Sequence, residues 1–140
     1  MTKKMNIAIV GLGNIGSYFY NYLKKNKTFF FKKTNTMPNI MYVSARSFGK
    51  KRNYKIPKNL WLKDCILAAK IKDIDIVVEL IGGSEGVAKK LVFEALKNKK
   101  HVITANKALV AKYGNQLAKI AEVNKVNFEF EAAVCGGIPV

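Results

Sequence analysis

The spacing that most constrains this chain is Gly11-Leu-Gly-Asn-Ile-Gly16, three glycines arranged G-x-G-x-x-G. It directly follows Asn6-Ile-Ala-Ile-Val10, a short apolar run that reads as a buried strand. It opens Asn14 to Lys25, where Ile15, Phe19, Tyr22 and Leu23 recur at helical spacing. Strand, glycine turn and helix in that order form the context this motif requires. Gly11 allows the tight turn, Gly13 lets backbone approach a pyrophosphate, and Gly16 lets helix and strand pack closely. Free N–H groups at the helix start then offer donors and partial positive charge to phosphates. The competing reading, a plain strand–turn–helix, leaves the agreement between motif and flanks unexplained.

The rest of the chain repeats the alternation. Lys24, Lys25 and Lys27 suit the negative end of the first helix. Lys27 to Asn39 reads as an irregular surface segment, although Phe29-Phe30-Phe31 must bury something. Met41 to Ala45 is predicted as a second strand, Gly49 to Asn59 as a loop, and Trp61 to Ile71 as a helix. Asp75 to Ile81 reads as a strand stopped by Gly82-Gly83, and Glu85 to Asn98 as a helix. His101 to Thr104 is a strand, Gln116 to Asn124 closes a helix, and Phe128 to Glu131 is a last strand. Nearly continuous apolar strands alternating with helices predict one α/β domain over residues 1–140. Its mostly parallel, doubly wound sheet is covered by helices on both faces, as in Rossmann-type dinucleotide-binding domains.

The choice of dinucleotide turns on the end of the second strand, where an acid would hold the ribose hydroxyls of NAD. Ser44-Ala-Arg-Ser47 stands there instead, followed by Lys50, Lys51 and Arg52. A cation without a carboxylate favours the 2′-phosphate of NADP, with Arg46 as its contact. The competing role for Arg46 is a solvated side chain in a basic loop.

Charge raises a different possibility. Residues 1–63 hold 14 Lys or Arg and no acid, whereas residues 64–140 hold 11 Lys and all nine acids, which accounts for the net +16. Of the 25 basic residues 23 are lysine, and only Arg46 and Arg52 carry the planar fork suited to reading nucleic acid. Abundant Asn, Ile, Phe and Tyr fit a genome biased toward A and T. A solvated lysine surface is therefore preferred to a nucleic-acid face. No apolar run approaches the roughly 18 residues of a membrane helix. The start lacks the long apolar stretch and cleavage site of a signal peptide. Cys65 and Cys135 are too few and too far apart for a disulfide framework or metal knuckle, which points to a reducing compartment. The expectation is a soluble cytoplasmic protein.

Three further segments add a sharper signal: Val78-Glu-Leu-Ile-Gly-Gly83, His101-Val-Ile-Thr-Ala-Asn-Lys-Ala-Leu109 and Phe130-Glu-Ala-Ala-Val-Cys-Gly-Gly-Ile-Pro139. In this order, with the glycine turn, they resemble the amino-terminal part of homoserine dehydrogenases. That family reversibly reduces aspartate 4-semialdehyde to homoserine with NADPH or NADH, in threonine and methionine synthesis. The resemblance implies that Leu12, Asn14 and Ile15 contact the dinucleotide along with Gly11, Gly13 and Gly16. It places Ile81 and Gly82 along the cofactor cleft, and Thr104 and Lys107 beside the nicotinamide ribose. Lys107 would also stand in the active centre, where an ammonium can stabilise charge developing on an aldehyde oxygen or help deliver a proton. The bland alternative is a lysine that caps or salt-bridges a loop.

The resemblance further implies a monovalent-cation loop, sodium-like, held by carbonyl oxygens of Glu131, Val134, Gly136 and Ile138. The residues alone would suggest only a Gly-Gly-Ile-Pro turn there. Cys135 reads as a small buried residue and His101 as structural. In the family, substrate-binding and dimer-forming parts follow the point matching Val140. The expectation is thus a cofactor-binding portion, inactive alone, of an enzyme that is a homo-oligomer at full length. Its partner is a small-molecule substrate, with no nucleic acid or membrane. A non-catalytic NAD(P)-binding module and a basic nucleic-acid-binding protein stand as the alternatives.

Overall fold

The computed structural model describes residues 3–50 and 52–134. Five parallel strands form its sheet: β1 (Lys3–Val10), β2 (Thr36–Ser44), β3 (Ile76–Glu79), β4 (His101–Thr104) and β5 (Phe128–Glu129). Their spatial order is β2-β1-β3-β4-β5, so β1 lies between β2 on one side and β3 on the other. Helices α1 (Asn14–Lys25), α2 (Lys27–Thr34), α3 (Val87–Lys97), α4 (Lys107–Asn124) and α5 (Glu131–Val134) complete the elements. This is the doubly wound parallel architecture expected from the alternation of apolar runs.

Alternation along β1 divides the core into two layers. Ile7 and Ile9 join Val43 and Val78 beneath Tyr20 and Leu23 of α1. Ala8 and Val10 join Val77 and Val102 beneath Leu91, Val92 and Leu96 of α3 and Leu109 and Leu117 of α4. All four β1 residues are buried, because a parallel strand in the middle of such a sheet has no solvent face. Each buried Leu contributes roughly 1.5–3 kcal/mol through removal of apolar surface from water.

Three segments differ from the sequence expectation, each for a local reason. Lys27 to Asn39 is not irregular: α2 occupies its first part and β2 already begins at Thr36. A run of three phenylalanines has no helical period, yet Phe30 meets the Tyr22 ring edge-on at 6.0 Å and packs against the core under α1. Asn35 then ends α2 in the left-handed region at φ 53°, its N–H donating to the Phe31 carbonyl.

Trp61 to Ile71 is not a continuous helix. Trp61 bridges Val43 on the edge of β2, and the Leu62 N–H donates to the Val43 carbonyl, which draws this stretch into extended backbone. Only a tight turn over Cys65–Ala69 remains, opened by the Asp64 carboxylate, which accepts from the Ile66 N–H. Helix α4 starts at Lys107, well before the stretch read as its closing part. Gly114 sits inside it, and its cost of about 1 kcal/mol is offset by a capped start and the burial of Leu109 and Leu117.

Candidate functional site

The connection after β1 turns toward β2, and the one before β3 crosses to the opposite side. A crevice therefore opens between the carboxyl ends of β1 and β3, the position at which such sheets bind ligands. The cleft there encloses about 600 Å³, between the glycine turn, the end of β2, the Lys63–Ile66 stretch and the end of β3. Gly11, Leu12, Gly13, Arg46 and Ile81 all line it. Asn14 lines an adjoining hollow with Ser17, Lys50, Arg52 and Tyr54.

The three glycines are required for different reasons. Gly11 has φ 103°, and a Cβ there would lie 2.4 Å from the Leu80 carbonyl oxygen of the neighbouring strand's extension. Its N–H donates to the Ser44 carbonyl at 2.9 Å, which ties the turn to the end of β2. Gly16 is buried beneath the turn, where a Cβ would fall 1.9 Å from the Gly11 carbonyl oxygen. Gly13 meets nothing within 4 Å.

Gly13 is also the N-cap of α1, which has no side-chain cap and no acid in its first turn. The leading N–H groups of a helix have no partners within it. An open backbone approach, free donors and the positive helix end together fit the pyrophosphate of a dinucleotide.

Cations dominate the rim. Arg46, Lys50, Arg52 and Lys63 line the cleft, and among the described residues the only acid beside them is Asp64, whose carboxylate is engaged by the Ile66 N–H. No acid stands at the end of β2, where Ser44 is buried and Ala45 and Arg46 follow. Cys65 is a free thiol on the same wall, and burial, with the nearby Asp64 carboxylate, pushes its pKa up.

The expected positions differ in their surroundings. Leu12 lines the cleft but is buried, and it packs in the core. Ile15 is exposed on the first turn of α1. Gly82 is exposed with φ 89°, on the loop leaving β3. Lys107 is exposed on the first turn of α4. Thr104 is fully buried, its hydroxyl turned to a neighbouring carboxylate.

That carboxylate, Glu79, is the residue sequence reasoning passed over. It ends β3 with no solvent exposure, and no cation among the described residues pairs with it. One oxygen accepts from the N–H groups of Ile81 at 2.7 Å and Gly82 at 3.2 Å. The other accepts from the Thr104 hydroxyl at 2.6 Å. Thr104 Oγ1 in turn accepts from the Asn106 N–H, and Asn106 both caps α4 through the Leu109 N–H and donates to the Gly83 carbonyl. A lone Glu in an otherwise apolar strand before Gly-Gly was the available signal, since Glu is almost never buried without a structural partner.

A second tether fixes the same loop from outside. Glu85 takes hydrogen bonds from Lys112 at 2.5 Å, Lys89 at 3.3 Å and the Tyr113 hydroxyl. Lys112 and Tyr113 hold its carboxyl down at about pKa 2, well below the usual range. The loop between β3 and α3 is thus fastened to α4 at both ends.

His101 is structural: its Nδ1 accepts from the Asn127 N–H at 3.0 Å. Glu131 and Val134 begin and end α5. Gly136 and Ile138, the other two expected cation-loop positions, lie outside the described residues, as does Cys135. No cluster of three His, Cys, Asp or Glu suited to a metal ion occurs among the described residues.

A family model described as the homoserine dehydrogenase NAD-binding domain matches residues 11–131. A homoserine dehydrogenase of Neisseria gonorrhoeae is 39% identical over 138 residues, covering 99% of this chain and 31% of the relative. That of Bacillus subtilis is 35% identical, covering 99% of this chain and 32% of the relative. The crystal structure of S. aureus homoserine dehydrogenase at pH 7.5 superposes with a TM-score of 0.87 at 38% identity, over 96% of this chain and 34% of that one. The chain spans about a third of the length of the curated relatives it matches.

Proposed function

Because the chain belongs to the NAD-binding domain family of homoserine dehydrogenases, we propose that it binds NADP(H) as the cofactor-binding part of an enzyme that interconverts aspartate 4-semialdehyde and homoserine. The observation that carries this reading is the uncapped start of α1, opening at Gly13 onto a cation-rimmed cleft at the switch point of the sheet. There the N–H groups behind Gly13 bind the pyrophosphate, and Arg46 takes the 2′-phosphate that distinguishes NADP from NAD. A bound reduced dinucleotide would supply the hydride for reduction of the aldehyde.

The chain's own residues position the rest. Glu79, Thr104 and Asn106 hold the Ile81–Gly83 loop against the start of α4, and so keep Lys107 beside the same end of the sheet. Lys107 is assigned to the aldehyde oxygen, where its ammonium stabilises developing negative charge or delivers a proton. Family resemblance supports a monovalent-cation role for the carbonyl oxygens of Glu131, Val134, Gly136 and Ile138. It equally supports a cytoplasmic homo-oligomer for the longer enzyme.

Titration of the 140-residue chain with NADPH and NADH tests the binding reading. Saturable binding, tighter for NADPH, is expected, together with no turnover of homoserine by this length of chain. Absence of binding to either cofactor overturns it.

A further inference from the structure

The chain uses arginine only twice against 23 lysines, and both arginines fall within one seven-residue stretch. Arg46 is exposed at the cleft rim. Arg52 does something a lysine cannot. Its Nη1 donates to the carbonyl oxygens of Lys50 at 3.0 Å and Phe48 at 3.4 Å, and its Nη2 donates to that of Ser47 at 3.0 Å. The same guanidinium lies 5.2 Å from the centre of the Trp61 ring, which the Phe48 ring meets at 4.7 Å from another direction.

Trp61 is itself fixed, because its backbone bridges Val43 on the edge of β2. The end of β2 is tied to the glycine turn through the Ser44 carbonyl and the Gly11 N–H. A continuous series of contacts therefore runs from the turn that faces the pyrophosphate, through β2 and Trp61, to Arg52 and the loop it encloses.

We propose that Arg52 is a positioning residue for cofactor selection: it folds the Ser47–Lys50 loop over Trp61 and thereby presents Arg46 to the phosphate of NADP. This rests on the assignment of Arg46 made above. The physical requirement is a planar group with several divergent donors that also stacks on an aromatic face, which guanidinium meets and ammonium does not. Without the clamp, residues 46–50, all exposed, have only the contact of the Phe48 ring with Trp61 to hold one conformation. Arg46 would then lose conformational freedom only at the moment of binding, and the affinity would fall by that entropy.

Trp61 is the only tryptophan, so its emission reports directly on the clamp. The test is Arg52→Lys in the 140-residue chain, with Phe48→Ala as a second variant whose exposed ring can be lost without unfolding. Circular dichroism establishes that each is folded, Trp61 emission is recorded without ligand, and NADPH and NADH are titrated separately. The expected result for Arg52→Lys is altered Trp61 emission and about a ten-fold loss of NADPH affinity, with NADH affinity unchanged. Phe48→Ala is expected to give a smaller loss in the same direction. An unchanged NADPH-to-NADH ratio in a folded Arg52→Lys chain with altered emission overturns the clamp while leaving the Arg46 assignment standing. Equal affinity of the unsubstituted chain for both cofactors overturns the Arg46 assignment and the clamp together.

Discussion

The Thr104 hydroxyl donates to the Glu79 carboxylate at 2.6 Å, and neither residue retains any exposure to solvent. This bond joins the ends of β3 and β4, the two strands whose following loops carry Gly82 and Lys107. It makes the cleft's far wall a single unit.

Replacing Glu79 with Gln turns an amide N–H donor toward groups that themselves donate to the carboxylate, and is expected to cost about 2–3 kcal/mol of stability. Thr104→Val, which strands one carboxylate oxygen, is expected to cost about 1–3 kcal/mol, and Thr104→Ser less. Urea unfolding of the three variants measures this order; equal stability of Glu79→Gln and the unsubstituted chain would show that the buried bonds hold nothing.

The glycines are expected to separate binding from folding. Gly13→Ala has open space for its methyl group and an ordinary φ of −74°, so the chain should fold normally. The added methyl group occupies the approach to the pyrophosphate, and about a ten-fold loss of NADPH affinity is expected. Gly16→Ala drives a Cβ into the Gly11 carbonyl and is expected to cost about 3 kcal/mol or more. Thermal melting beside NADPH titration distinguishes the two; a destabilised Gly13→Ala with intact affinity contradicts both assignments.

Glu85 has a folded pKa near 2 against an ordinary 4.5, so its interactions favour the folded state fully above about pH 4.5. That contribution declines as pH falls from there and is gone below about pH 2. The acid limb of a melting-temperature profile should be shallower in Glu85→Gln than in the unsubstituted chain. Because the pair is exposed, added salt should narrow the difference. Superimposable profiles would remove Glu85 from the stability of the α3–α4 junction.

Lys100 is buried with its ammonium donating to the Lys72 carbonyl at 2.8 Å, and burial pushes its pKa down. A base with a lowered folded pKa opposes folding below that value, and the opposition fades as pH rises toward its ordinary 10.5. Lys100→Met is therefore expected to melt higher than the unsubstituted chain at pH 7, with the gap closing toward pH 10. A variant that melts lower at pH 7 would show that the bond to Lys72 outweighs desolvation.

Much of the fold was legible because its signals are local. The run from Asn6 to Val10 and the stripe from Asn14 to Lys25 carry their own periods, and α1 has the bounds that stripe implies. What was not legible depends on contacts distant in sequence. Nothing near Trp61 announces that Val43 will hold it in extended backbone, and the three adjacent phenylalanines reveal α2 only through the ring of Tyr22. The cleft residues Gly11, Gly13 and Arg46 could be found because backbone geometry and charge belong to the residue itself. Glu79 acquires its importance from Thr104, 25 positions later, and a pairing of that kind has no local signature.

The enclosed loop at the end of β2 differs from the glycine turn in how freely it can change. Arg46 to Lys50 are all exposed, so substitutions among them, apart from Phe48 on the Trp61 ring, disturb no packing. Gly11 and Gly16 are locked against backbone oxygens and tolerate almost none. On the proposed roles of Arg46 and the glycine turn, substitutions in this loop would change which dinucleotide is preferred and leave the capacity to hold one intact.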